Sequence, residues 1–169
     1  MNIEDVMVEK VITVQADATA REAVELMNKQ DIGSLIVEEN EKPVGIVTER
    51  DLLKRVLASS RAPEKIRVQE IMSTPLVVTQ SHMEIEEAAK LMVNMKVKKL
   101  PVVENERLVG LVTLTDLIRT QPHMIRVLRE ITTAEYTPKR MKKVIDYYVD
   151  LPLVSPKQLE AQQKRIKIE

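Results

Sequence analysis

The stretch "GIVTERDLL" runs from Gly45 to Leu53, and "GLVTLTDLI" runs from Gly110 to Ile118. Both read small, apolar, apolar, Thr, two variable residues, Asp, two apolar. They lie 65 residues apart, and sliding the chain by that offset brings much more into register. Met7 falls on Met72, Glu22-Ala23 on Glu87-Ala88 and Leu26-Met27 on Leu91-Met92. Leu35 meets Leu100, Val37 meets Val102, and "ENE" at Glu39 meets "ENE" at Glu104. No gap is needed, which marks a duplicated unit of about 55 residues.

Each copy parses as β-α-β-β-α. "VITV" (Val11–Val14) and "LVVT" (Leu76–Thr79) are short β-rich runs. Ala23, Leu26 and Met27, and likewise Ala88, Leu91 and Met92, are spaced to share one helix face. Thr19-Ala-Arg-Glu22 and Ser81-His-Met-Glu84 both have the form of a capping box, at slightly different registers. "GSLIVEENEKPVGIVT" and "KLPVVENERLVGLVT" then each set two apolar strands around a turn, at Asn40-Glu41 and Asn105-Glu106. A final helix follows each Thr. A 55-residue unit does not easily bury a core alone, so the copies are expected to pack sheet to sheet. "ASSRAPEKIR" (Ala58–Arg67) reads as the link. The expected fold class is α/β (α+β): two repeats, residues 1–60 and 61–120, packed with pseudo-two-fold symmetry, plus C-terminal helices over 121–169.

Composition narrows the function. The core must be aliphatic, because the 169 residues include no Phe, no Trp and three Tyr, and nine Met help to fill it. Formal charge is zero, 26 basic against 26 acidic, so no global field draws the chain to nucleic acid or membrane. From Gln121 onward ten Lys/Arg face six Asp/Glu, a net of +4 that leaves −4 for the rest. With no Cys, disulfides and thiolate chemistry are excluded. No apolar run approaches a membrane span, and a cytoplasmic protein is the simplest reading.

The repeated series resembles the CBS (cystathionine β-synthase) domain pair, often called a Bateman module. The resemblance covers roughly residues 1–120. It rests on the "DVM" and "EIM" openings, the A-x-x-L-M helices, the two hairpins, the two T-x-x-D turns and the tandem itself. It implies a cleft between the units for an adenosine-containing ligand such as AMP, ADP, ATP or S-adenosylmethionine. It also implies a homodimer forming a flat disc of four units.

Thr48-x-x-Asp51 and Thr113-x-x-Asp116 carry two readings. A Thr between a strand and a helix accepts from a free backbone N–H, and an acid in the first turn suits the helix dipole, so both are good caps. A helix start also attracts phosphate, and a nearby carboxylate can accept ribose hydroxyls. By resemblance, Thr48 and Thr113 touch phosphate and Asp51 and Asp116 touch ribose. Further contacts fall at Ile12 and Val77, and at Gly33-Ser34 and Lys98-Lys99. Arg50 gives the first turn a cation where the second has Thr115. Lys98 and Lys99 add two cations where the first copy has Gly33 and Ser34, which suggests unequal sites; a solvated edge strand is the alternative. Adenine has no ring to stack on, so aliphatic side chains such as Ile12 and Val77 must sandwich it. A ligand of about 23 heavy atoms then reaches about −7 kcal/mol, or micromolar affinity.

No enzyme is legible. Three glycines exclude a phosphate-binding loop of the G-x-x-x-x-G-K type, and the two histidines, His82 and His123, pair with no nucleophile. The leading expectation is a ligand-sensing regulatory module that acts on a partner protein. A ligand-independent dimerisation scaffold is the second, and nucleic-acid binding through the basic tail the third. In the tail, Met124, Val127, Leu128 and Ile131 share one helical face, and Met141, Val144, Ile145 and Tyr148 another. These stripes either cover the module's own flank or grip a partner.

Overall fold

The computed structural model describes residues 1–126 of the chain. The first repeat runs β1 (Thr13–Gln15), α1 (Ala20–Gln30), β2 (Ser34–Glu39), β3 (Lys42–Thr48) and α2 (Glu49–Asp51). α2 widens into a π-helical turn over Leu52–Val56. A short α3 (Val68–Ile71) leads to α4 (Ile85–Met95), β4 (Lys99–Glu104), β5 (Arg107–Thr113) and α5 (Leu114–Thr120). β1 pairs parallel with β2, and β2 antiparallel with β3, while β4 and β5 form a second antiparallel hairpin. Among the described residues no helix is long and apolar enough to cross a membrane.

Local chemistry explains most of these elements. Asn40-Glu41 and Asn105-Glu106 all sit at positive φ, between 48° and 64°, as the tight two-residue hairpin turn requires. Each hairpin carries its register shift at the equivalent place, after Val37 and after Val102. Helix α1 starts with the expected capping box: the Thr19 N–H donates to Glu22 Oε2 (2.6 Å) and the Glu22 N–H donates to Thr19 Oγ1 (3.2 Å).

Two expectations fail in the second repeat. Leu76–Thr79 does not form a strand; Thr79 alone pairs, parallel, with Val102. Pro101 stands where the first repeat has Ile36, and with no N–H it has nothing to donate to an incoming strand. Ser81 does not cap α4, whose N-cap is Glu84, the position equivalent to Thr19. Instead the Ser81 N–H and hydroxyl both donate to Glu104 Oε1, at 2.9 and 2.7 Å. That contact comes from a distant strand, which a local motif does not reveal.

The cores show how the repeats interlock. Val14, Ala23, Met27, Leu35, Val37 and Val47 cluster with Ile66, Val68 and Ile71, which precede the second repeat. Ile85, Ala88, Met92, Leu100 and Val112 cluster with Ile3, which precedes the first. Each leading segment therefore packs on the other repeat. Backbone pairing says the same: Ser73 exchanges hydrogen bonds with Ile46, and Val8 with Leu111. The expected link is also part of this packing, since Ile66 is 1% exposed and its carbonyl accepts from the Ala20 N–H. Met124, at the start of the C-terminal stripe, is fully buried in the second core. The rest of the expected helical extension lies outside the described residues.

Candidate functional site

The two T-x-x-D corners are built alike. The Thr48 N–H and hydroxyl both donate to Asp51 Oδ2, each at 2.9 Å, and the Asp51 N–H returns to Thr48 Oγ1 at 3.2 Å. At the second corner the Thr113 N–H and hydroxyl donate to Asp116 Oδ2 at 2.9 and 2.6 Å, and the Asp116 N–H donates to Thr113 Oγ1 at 3.2 Å. The capping reading is thus realised at both. The next N–H groups also have partners, Glu49 on the Gly33 carbonyl and Leu114 on the Lys98 carbonyl.

The corners face one cleft of about 720 Å³, within the range of small-molecule pockets. Its lining includes the cations Arg50, Lys96, Lys98 and Lys99 and the single carboxylate of Glu49. Its apolar lining is Ile46, Pro75, Leu76, Val77, Val97 and Leu114. The Glu49 carboxylate lies against Gly33 so closely that a Cβ there would sit 3.1 Å from Oε2. A side chain at this position would require the Glu49 carboxylate to shift by a few tenths of an ångström; the second repeat carries Lys98 here and Leu114 in place of the acid.

Lys99 joins the two repeats. Its ammonium donates to Ser34 Oγ across the repeats at 2.6 Å. Ser34 and Lys99 are equivalent positions, each at the start of its hairpin. Ser34 stands opposite Thr48 and Lys99 opposite Thr113 in the ladders, so this bond joins the two corners. Burial lowers the Lys99 pKa, against the opposite pull of the Glu49 and Asp116 carboxylates.

Nine of the expected residues line the cleft: Gly33, Ser34, Thr48, Arg50, Val77, Lys98, Lys99, Thr113 and Thr115. Asp51, Asp116 and Ile12 do not. The acids turn Oδ2 to their own caps, and Ile12 packs on the first core. Among the eight lining residues the sequence reading missed are Glu49 and Leu114, the residues directly after each Thr, and Leu76 beside Val77. All three sit inside or next to quoted motifs, and only their direction was hidden. His82 is exposed, and His123 lies 3.8 Å from Glu86. Among the described residues no group of three or more His, Asp or Glu is placed to hold a metal ion.

Comparison with known proteins fits this architecture. The CBS domain family matches residues 3–58 and again 68–123. The chain belongs to the CBS-domain family. An uncharacterised protein of Methanopyrus kandleri is 36% identical over 132 residues, 77% of this chain and 67% of that one. The CBS domain-containing protein YhcV of Bacillus subtilis is 36% identical over 120 residues, 71% of this chain and 85% of YhcV. Among solved structures, a hexameric CBS-CP12 protein from bloom-forming cyanobacteria superposes with a TM-score of 0.65 at 29% identity, covering 79% of this chain and 86% of that one. The protein is therefore a tandem CBS module, a domain type that generally senses nucleotides for regulation and binds adenosine ligands. Stand-alone CBS-domain proteins are typically non-catalytic.

Proposed function

We propose that the cleft binds a phosphorylated adenosine ligand (AMP, ADP or ATP) and that its occupancy is signalled to a partner protein. The observation that carries this is the lining: four cations and one carboxylate, together with aliphatic side chains and no aromatic ring. Such a surface suits a flat apolar base joined to an anion. The caps already engage the corner N–H groups, so Arg50, Lys98 and Lys99 supply the phosphate contacts, with Thr48, Thr113 and Thr115 shaping that end. Leu76 and Val77 cover one face of the base. Asp51 and Asp116 hold the corners in shape. S-adenosylmethionine, with its sulfonium charge, suits the cationic lining less well. The module works as a homodimer in the cytoplasm, and the hexameric cyanobacterial relative supports self-association.

A ligand-independent scaffold is the second reading. The reciprocal backbone pairing of Ser73 with Ile46 and of Val8 with Leu111, which holds the repeats together, favours it. Thermal unfolding with each adenosine ligand separates the two. Nucleotide at about 100 times its dissociation constant adds about 2.7 kcal/mol of stability. An unchanged unfolding transition with AMP, ADP, ATP and S-adenosylmethionine would leave the scaffold.

A further inference from the structure

We infer that Arg55 is a positioning residue for the cleft: from outside the lining, its guanidinium fastens the stretch that carries Pro75, Leu76 and Val77 to the first T-x-x-D corner. This deepens the nucleotide reading above and rests on it, since Leu76 and Val77 are the residues placed over the base. Arg55 Nη1 donates to the carbonyls of Ile71 and Met72, at 2.7 and 2.9 Å. These carbonyls end α3, where the helix itself supplies no donor. Hydrogen bonds from a charged donor are about twice as strong as neutral ones. Arg55 Nε lies 3.8 Å from Asp51 Oδ1, while Asp51 Oδ2 holds the Thr48 cap. One side chain thus reaches from the corner to Met72, and the next residue, Ser73, already lines the cleft.

The stretch beyond Ser73 has little else to place it. Among the described residues, no backbone-to-backbone hydrogen bond involves Thr74 to Val78. It is anchored at its ends, by Ser73 on Ile46 and by Thr79 on Pro101 and Val103. In the first repeat the equivalent stretch runs into β1, which a parallel ladder fixes to β2. The position equivalent to Arg55 is Thr120, whose hydroxyl donates to the Asp116 carbonyl of its own helix at 2.7 Å. The cation stands where the ladder is missing.

Calorimetric titration of the full chain with adenosine and with AMP, on wild type and Arg55→Met, tests this. Expected is binding about tenfold weaker for both ligands by the same factor, because Leu76 and Val77 meet the base and not the phosphate. In the ligand-free variant the Leu76 and Val77 methyl resonances should move, while those of Val112, fully buried in the second core, stay. A merely structural role lowers the unfolding midpoint and leaves the affinities and resonances of the folded chain unchanged. That outcome, or a loss confined to AMP, overturns the inference. Should Arg55→Met fail to fold, Arg55→Gln takes its place. The two readings fail separately. A wild-type chain that binds neither adenosine nor AMP defeats the nucleotide reading. Unmoved Leu76 and Val77 resonances in the ligand-free variant defeat the role of Arg55.

Discussion

At Gly45 an added methyl group has no room: it would lie 2.6 Å from Met72 Sδ and 3.1 Å from the Ser73 carbonyl oxygen. At Gly110 the neighbours are Met7 Sδ at 2.5 Å and the Val8 carbonyl oxygen at 3.3 Å. These are equivalent positions, and each glycine receives the methionine that opens the other repeat. The glycine of the repeated motif thus serves close approach between segments rather than an unusual backbone angle, since no glycine has positive φ. Gly45→Ala is expected to destabilise by about 1–3 kcal/mol through overpacking. Adding Met72→Ala should recover part of that loss, because the thioether is then absent. Urea midpoints of the single and double variants check this; simple addition of the two losses would show that the contact is not the cause.

Among the elements, three carboxylates tie down chain segments and carry pKa values below the ordinary 4.5. The Thr19 N–H lowers that of Glu22, the Arg67 N–H that of Glu70, and the Ser81 N–H that of Glu104. A group whose pKa falls on folding stabilises fully above its unfolded value and loses that contribution as pH drops through the folded value. Wild type should therefore exceed Glu22→Gln and Glu104→Gln in stability at neutral pH, and the gap should be smaller in acid, below the ordinary 4.5. Urea unfolding at neutral and acid pH reads it, and a gap undiminished in acid rejects the carboxylate as the source. Glu22 was legible from its place three residues after Thr19. Glu104 was not, because its partner Ser81 lies across the fold and only tertiary packing brings them together.

For the molecule as a whole, the exchange of leading segments decides which repeat a residue supports. Ile3 is fully buried among Ile85, Ala88 and Val112, and its equivalent, Val68, is fully buried in the first core. Ile3→Ala is expected to cost about 2–5 kcal/mol as a cavity in the second repeat. Amide exchange should show lost protection in α4, β4 and β5 while β2 and β3 keep theirs. Equal loss in both hairpins would mean that the two cores unfold as one.

The chain alone determined the tandem, the hairpins with their Asn-Glu turns, and the capped T-x-x-D corners. Each is written locally, as a period, a turn or a three-residue spacing. Tertiary structure decided the rest: the crossing of Ile3 and Val68 between repeats, the stopping of the second parallel ladder at Thr79, and the mixed lining of the cleft. The bond from Lys99 to Ser34 belongs here too, since both residues are visible in the repeat but no spacing says that equivalent positions touch. Local hydrogen bonding and steric preference act over a few residues. Contacts between segments some 65 positions apart depend on how two surfaces meet.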